Sequence, residues 1–458
     1  MMKLIFRSLT FILFVRIVFV FLVPSLAFAD SVTQDLLDKL KEKGILSTEE
    51  YQKFSLRAKE EEKRAAQTLQ TGWVDRPFIR TKDKSFELKF GTRIQEDFRI
   101  YQKNDQDKNS GFRLRRAYLE FKGKVLNDWL FTFITSFGSN SSKVLYAHMD
   151  YVALPWLNVR MGQYKEPFGM EELTSDKWLD LVERAMITRA TTPEYDIGIM
   201  LYGKVLDDYL KYYLGWFNGN GTGASGDNND DKDVAGRLEY KPFKHKNGIL
   251  KDLQIGFNVT AGDQSRHQMK AIRDPSMHDI LPRINADGFR YRLGGDALWI
   301  YGPASLKGEY IYTRTERANN LSDVEVSGFY VGGTYLFTGE KKIHSRGIKP
   351  KSNFDLKDGG WGALELALRY EQMHVDGIGG KGYSIAPGEG FEAADNIIGN
   401  KVNAIEIGLN WYLNPFIRFA VAYSHAMYDN TGPALSHHVG SLYKNNYDFV
   451  VGRFQFAF

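Results

Sequence analysis

Ten residues, Phe112-Arg113-Leu114-Arg115-Arg116-Ala117-Tyr118-Leu119-Glu120-Phe121, set two adjacent guanidinium groups into a run that otherwise alternates apolar and polar side chains. A guanidinium is a planar fork of donors that holds oxyanions by charge-assisted hydrogen bonds. In a regular strand Arg115 and Arg116 would face opposite sides, and the apolar phase switches between Leu114 and Ala117. If one side meets lipid, an arginine at midplane costs ~2–4 kcal/mol, so the run requires a β-bulge or a position above the bilayer. Arg93, Arg99, Arg160, Arg237, Arg290, Arg292, Arg369 and Arg418 fall on the polar parity of similar runs. They either line a polar wall as anion ligands or pair with Asp97, Glu120, Asp150, Asp296, Glu365 and Glu406 to fill it.

Other patterns point to no chemistry of their own. Gly377, Gly379 and Gly382 form GxGxxG but follow a strand and open no helix, which reads as a loop rather than a dinucleotide site. Asp227, Asn229 and Asp231 imitate a calcium loop, yet Lys232 replaces its glycine and Leu238 its bidentate Glu. His148, His425 and His437 are scattered, and no serine sits in a nucleophile motif, so catalysis is not expected. Neither a cofactor nor a metal site is read from the sequence. The absence of cysteine excludes a disulfide framework and thiol chemistry.

The elements that must position the arginines begin at Phe86. There Phe86, Leu88, Phe90, Ile94, Phe98 and Ile100 alternate with Glu87, Lys89, Arg93, Gln95, Asp97 and Arg99. Similar outward sets recur to the C-terminus, among them Leu145, Met149 and Tyr151; Ile405, Ile407, Leu409 and Trp411; and Phe454, Phe456 and Phe458. They add up to about sixteen strands, an even number as closed bacterial barrels require. Short connections such as Leu154-Pro155 alternate with long polar ones such as Asn218 to Asp231, and aromatics gather near strand ends. No segment after Asp30 approaches a transmembrane helix, so a membrane location requires a closed antiparallel β-barrel. Alternation that ends on Phe458 fits a strand closing such a barrel. The barrel is expected over 84–458, with 166–192, after the fifth strand, folded inward as a constricting third loop. That loop carries Lys177, Arg184 and Arg189 against Glu171, Glu172, Asp176 and Glu183.

Residues 1–29 read as a signal peptide: Lys3 and Arg7, an apolar run from Ile17 to Val23, Pro24, then Ala27-Phe28-Ala29. Residues 30–83 read as a periplasmic helical or coiled segment. Val32, Leu36, Leu37 and Leu40 share one helical face, Gly44 can end the helix, and Ser47-Thr48-Glu49-Glu50 has capping-box spacing. A helical hairpin, a trimeric coiled coil and a solvated arm all remain open. Lys3, Arg7 and Arg16 are three of the sixty basic residues, so without the leader the chain is nearly balanced against its fifty-six acidic ones. Bulk charge therefore argues against a nucleic-acid partner, and anion preference must come from local placement.

Several stretches resemble the phosphate-selective porin O and P family of Gram-negative outer membranes: Gly91-Thr92-Arg93-Ile94-Gln95, Arg115 to Phe121, Gly162-Gln163-Tyr164-Lys165-Glu166-Pro167-Phe168-Gly169, Leu181-Val182-Glu183-Arg184, Leu336 to Glu340, Leu364 to Tyr370, and Asn410 to Pro415. The resemblance spans Phe86 to Phe458. It implies a homotrimer of sixteen-stranded barrels in outer-membrane lipid, an inward third loop, and arginines leading small anions such as phosphate to a basic constriction. By motif position Arg93, Arg115, Arg116, Arg184 and Arg237 resemble the ladder or constriction arginines, and Lys177 the loop lysine. This chain has Gly169-Met170-Glu171-Glu172 where phosphate-selective members carry a lysine, so Glu172 is expected to weaken the hold on the anion. The expected function is passive diffusion of small anions. A weakly selective general or sugar porin and a plugged scaffold barrel are the alternatives.

Overall fold

The computed structural model describes residues 32–66, 68–102, 108–138, 142–222, 226–227, 229–264, 268–281, 283–285, 288–317, 323–378, 400–429 and 446–458. The expected signal peptide, residues 1–29, lies outside them, as do Gly379, Gly382 and His437. The chain divides into two units, Met1–Thr68 and Leu69–Phe458.

In the first unit, α1 (Val32–Glu42) and α2 (Thr48–Ala66) form a helical hairpin. Gly44 turns the chain at φ 69°. The capping box closes reciprocally: the Ser47 amide donates to Glu50 Oε2 at 3.0 Å, and the Glu50 amide to Ser47 Oγ at 3.2 Å. The Tyr51 hydroxyl donates to Asp38, tying the helices together.

The second unit opens with a hairpin of β1 (Leu69–Trp73) and β2 (Pro77–Thr81). Wall strands follow: β3 (Phe86–Ile100), β4 (Gly111–Val125), β5 (Trp129–Ser136), β6 (Lys143–Leu154) and β7 (Leu157–Lys165). The connection to β8 (Tyr195–Val205) carries α3 (Met170–Leu173) and α4 (Met186–Thr191). Next come β9 (Leu210–Phe217), β10 (Asp233–Tyr240) and β11 (Gln254–Gln264). A long connection holds β12 (Gln268–Met269), β13 (Ile272–Arg273), β14 (Asp279–Leu281) and β15 (Ile284–Asn285). The wall resumes with β16 (Gly288–Tyr301), β17 (Ala304–Thr315), β18 (Asp323–Leu336), β19 (Ala363–Ile378), β20 (Asn400–Tyr412), β21 (Ile417–Asp429) and β22 (Asn446–Ala457). Each wall strand pairs antiparallel with the next, and β22 returns to β3 from Val450 opposite Ile100 to Ala457 opposite Arg93. Sixteen strands thereby close a barrel without a free edge.

Alternation assigns the faces as expected. Ile94, Phe98, Leu119, Met161, Phe257, Tyr310, Ile407 and Val421 are exposed, while Gln95, Asp97, Arg99, Asp150, Asp296 and Glu406 are buried. Leu145 is a correction. Alternation predicts it outward with Met149 and Tyr151, yet it is buried, because register slips where Ile134 faces Tyr146 and Thr135 faces Val144. Leu145 is the extra residue of a bulge that hands the outward position to Val144.

The helical or coiled reading of 30–83 also needs revision. Leu69 pairs with Thr81 and Ile79 with Leu88, so the sheet begins at Leu69. Each hairpin arm has five residues, too short for a period-2 pattern to stand out. Trp73 holds it in place, its ring 5.8 Å from Phe416 and 5.3 Å from Phe458.

One side of the lumen is filled. Met186 and Ile187 of α4 with Ile272, Ile280 and Leu281 of the β11–β16 connection pack on Val324, Val326, Tyr330, Met373, Val375, Val402 and Phe449 of the wall.

Candidate functional site

The Arg115-Arg116 pair sits on a bulge. Gln95 faces Arg116 and Glu96 faces Leu114, leaving Arg115 as the extra residue, so both guanidiniums reach the lumen and neither enters lipid. Arg115 donates through Nε and Nη2 to the two Glu183 oxygens at 2.9 and 3.2 Å. Arg116 pairs with Asp176 and donates to Gln95 at 2.8 Å.

The residues between β7 and β8 fold inward and bring their charges to that wall. Wall carboxylates anchor them: Glu309 accepts from the Met170 and Glu171 amides at 2.9 and 3.4 Å, and Glu371 from the Met186 amide at 2.6 Å. Arg93 joins the Asp176 carboxylate already held by Arg116, and also donates to Glu120 at 2.7 Å. Lys177 lies 3.3 Å from Glu120. Glu183 is shared by Arg99, Arg115 and Arg453, and Glu171 by Lys307 and Arg369. Carboxylates here serve two or three cations each.

Arg184 donates through Nε and Nη2 to the Glu171, Glu172 and Thr174 carbonyls at 2.8–3.3 Å, with its Nε 3.3 Å from Glu172 Oε2. It therefore braces the loop. Glu172 does not stand alone as an unpaired negative charge, because Lys165 and Arg184 both sit on it. Arg237 lies apart from this group, paired with Asp296 at 2.6 Å and Glu239 at 3.1 Å. Arginine pairing with Asp97, Glu120, Asp150, Asp296 and Glu406 is realised, whereas Glu365 takes Lys342.

Three chambers follow one another past this loop. On the long-loop side, a chamber of about 410 Å³ includes Arg115, Arg184, Arg189, Lys270 and Arg283. On the short-turn side lie chambers of about 370 Å³, with Arg76, Arg93, Lys122 and Lys177, and about 640 Å³, with Arg160, Lys211, Arg237 and Lys342. Among the described residues, lysines and arginines outnumber carboxylates nine to four in the first, six to two in the second and seven to two in the third. Lys165 lines all three, and Tyr118, Asp176 and Tyr195 join it between the first two. Lys165, Lys122 and Arg76 line the chambers although their sequence pattern did not single them out as pore residues. Lys165 ends a strand just before the loop, where alternation no longer indicates direction. Burial pushes the Lys177 ammonium down to about 7, with Glu120 only partly restoring it.

Ser276, His278 and Asp274 do come together, Ser276 Oγ lying 2.7 Å from Asp274 Oδ1 and 2.6 Å from His278 Nδ1. All three are buried, and the His278 amide also donates to Asp274, so the group shapes the β13–β14 turn. In the calcium-like segment the Asn229 and Asp231 amides turn back on Asp227 and Asn229, and Lys232 pairs with Asp227. Gly377 is part of β19.

A closed sixteen-strand barrel with an apolar outer band, an infolded loop and a charged lumen defines an outer-membrane porin. Residues 88–458 match the family described as phosphate-selective porin O and P, and the chain belongs to that family. It is 23% identical over 401 residues to Porin O of Pseudomonas aeruginosa, covering 77% of this chain and 85% of that one. It is 27% identical over 355 residues to an uncharacterized protein of Aquifex aeolicus, covering 69% and 79%. In fold it is similar to OmpT of Vibrio cholerae expressed in the outer membrane, at TM-score 0.54 and 10% identity over 85% of this chain and all of that one. A trimer form of OmpT matches at TM-score 0.52 and 10% identity, over 82% of this chain and all of that one. The protein is a porin of the Gram-negative outer membrane.

Proposed function

We propose that the porin conducts small hydrophilic anions, phosphate among them, by passive diffusion and without a catalytic step. The observation that carries this reading is the excess of lysine and arginine in each chamber. Where the lining cations outnumber the lining carboxylates, a passing oxyanion can take up charge-assisted hydrogen bonds as it sheds water. Arg93, Arg115, Arg116 and Lys177 would meet the solute, while Arg184 and Arg237 contribute charge from braced positions. The family's description and the relative named Porin O support phosphate as a solute.

A weakly selective general pore is the second reading, favoured by the carboxylate partner that each of these six cations has. Planar-bilayer recording in a KCl gradient separates the two. A reversal potential displaced toward chloride is expected; one near zero favours the general pore. We also propose a homotrimer, supported by the trimer form of the structurally similar OmpT. Unboiled protein in a mild-detergent gel should run at high mass and collapse on heating; a monomer under every mild condition contradicts the assembly.

A further inference from the structure

The β1–β2 hairpin lies outside the sixteen-strand wall and before residues 88–458, yet its turn delivers a side chain to the lumen. Arg76 follows Trp73 by three residues and reaches over the inward face of Gly91. A Cβ at Gly91 would lie 2.7 Å from Arg76 Nη1 and 2.8 Å from the Phe458 carbonyl oxygen, so a residue without a side chain keeps this way in open. Arg76 Nη1 then donates to Glu120 Oε2 at 3.1 Å. The hairpin is fixed at its turn end by Trp73 on Phe416 and Phe458, and Asp75 lies 3.3 Å from Lys89.

Glu120 is thereby the common partner of a strand residue, a loop residue and a hairpin residue: Arg93 at 2.7 Å, Lys177 at 3.3 Å and Arg76 at 3.1 Å. Its carboxylate is 1% exposed, whereas the Arg76 side chain keeps 15%. Arg93 also shares Asp176 with Arg116, so the connected group sets Arg76, Arg93, Arg116 and Lys177 against two carboxylates, and Arg76 adds to the positive side of that balance.

We propose that Arg76 is a pore-lining, selectivity-determining cation supplied from outside the barrel wall. It occupies Glu120 from the short-turn side and raises the anion affinity of the 370 Å³ chamber through Arg93 and Lys177. Its effect on selectivity rests on the anion-channel reading; its place in the pore does not.

The chain has no cysteine, so Arg76→Cys introduces a single thiol into the full protein. With the variant in a planar bilayer, 2-sulfonatoethyl methanethiosulfonate added on the short-turn side should change the single-channel current in steps. Arg76→Gln should lower the anion-to-cation permeability ratio about sevenfold, one charge acting through water over some 7 Å shifting anion and cation about threefold each in opposite senses. Arg76→Lys should retain the ratio, and heat-modifiable gel mobility should stay normal in all three. Unchanged current after the thiol is shown by mass to be modified, together with an unchanged ratio in Arg76→Gln, overturns the proposal. A current step at the cysteine in a channel whose wild type has no anion preference would leave Arg76 in the pore and remove the anion-channel reading instead.

Discussion

Replacing Glu172 by Gln removes the one carboxylate that Lys165 and Arg184 share in the inward loop. The amide oxygen can still accept from Lys165, and Arg184 stays held by the Glu171, Glu172 and Thr174 carbonyls, so the loop keeps its bracing. At about 4 Å a unit charge is worth ~1 kcal/mol in water and ~4 kcal/mol at an effective ε of ~20. Glu172 is 4% exposed but faces an open chamber, which places its influence on a passing ion between those limits. Even the aqueous limit corresponds to about a fivefold gain in anion partitioning. The prediction is that Glu172→Gln raises the chloride-to-potassium permeability ratio at least about fivefold, and that phosphate blocks chloride current at correspondingly lower concentration. Glu172→Lys, which sets a third cation beside Lys165 and Arg184, should do so more strongly. Single-channel recording in a KCl gradient with phosphate titration reads both effects. An unchanged reversal potential and block in a correctly folded Glu172→Gln would show that this loop position does not govern the field along the path.

Lys177, whose ammonium loses its proton near 7, should make selectivity pH-dependent: a lowered lysine pKa means charge present below it and lost above it. Anion preference should fall as pH rises through about 7, and Lys177→Arg should remove most of that dependence; identical reversal potentials on both sides of 7 in the wild type would contradict it. Lys165→Met should reduce conductance and weaken phosphate block from either side, since Lys165 borders all three chambers, and a block altered from one side alone would argue against that position. Deleting Arg115 should leave a heat-modifiable barrel, because removing the bulge residue keeps Leu114 outward and Arg116 inward; loss of folding would show that the bulge itself is required.

The wall was legible because lipid outside and charge inside impose a period of two, and this assigned Ile94, Phe98, Gln95 and Asp97 correctly. Where the inner face is dry, the signal weakens: Val324, Val326, Met373 and Val402 are inward yet apolar, buried under Ile187 and Ile280 from distant connections. The adjacent arginines announced an irregularity, and the bulge at Arg115 is its physical resolution. Leu145 carried no such signal, since an apolar residue is compatible with either face. Which carboxylate meets which cation was partly legible, as with Arg93 and Glu120 on neighbouring strands. Asp176 bridging Arg93 and Arg116, or Arg76 reaching Glu120, depends on how the loop and hairpin fold over the wall.

Reversal potential of the wild-type channel in a KCl gradient, followed by addition of phosphate, bears most directly on the central claim. With more cations than carboxylates in all three chambers, the potential should move strongly toward that of chloride and phosphate should reduce the chloride current. A reversal potential near zero, with chloride current indifferent to phosphate, would mean that the shared carboxylates neutralise the lumen and that the pore does not select anions.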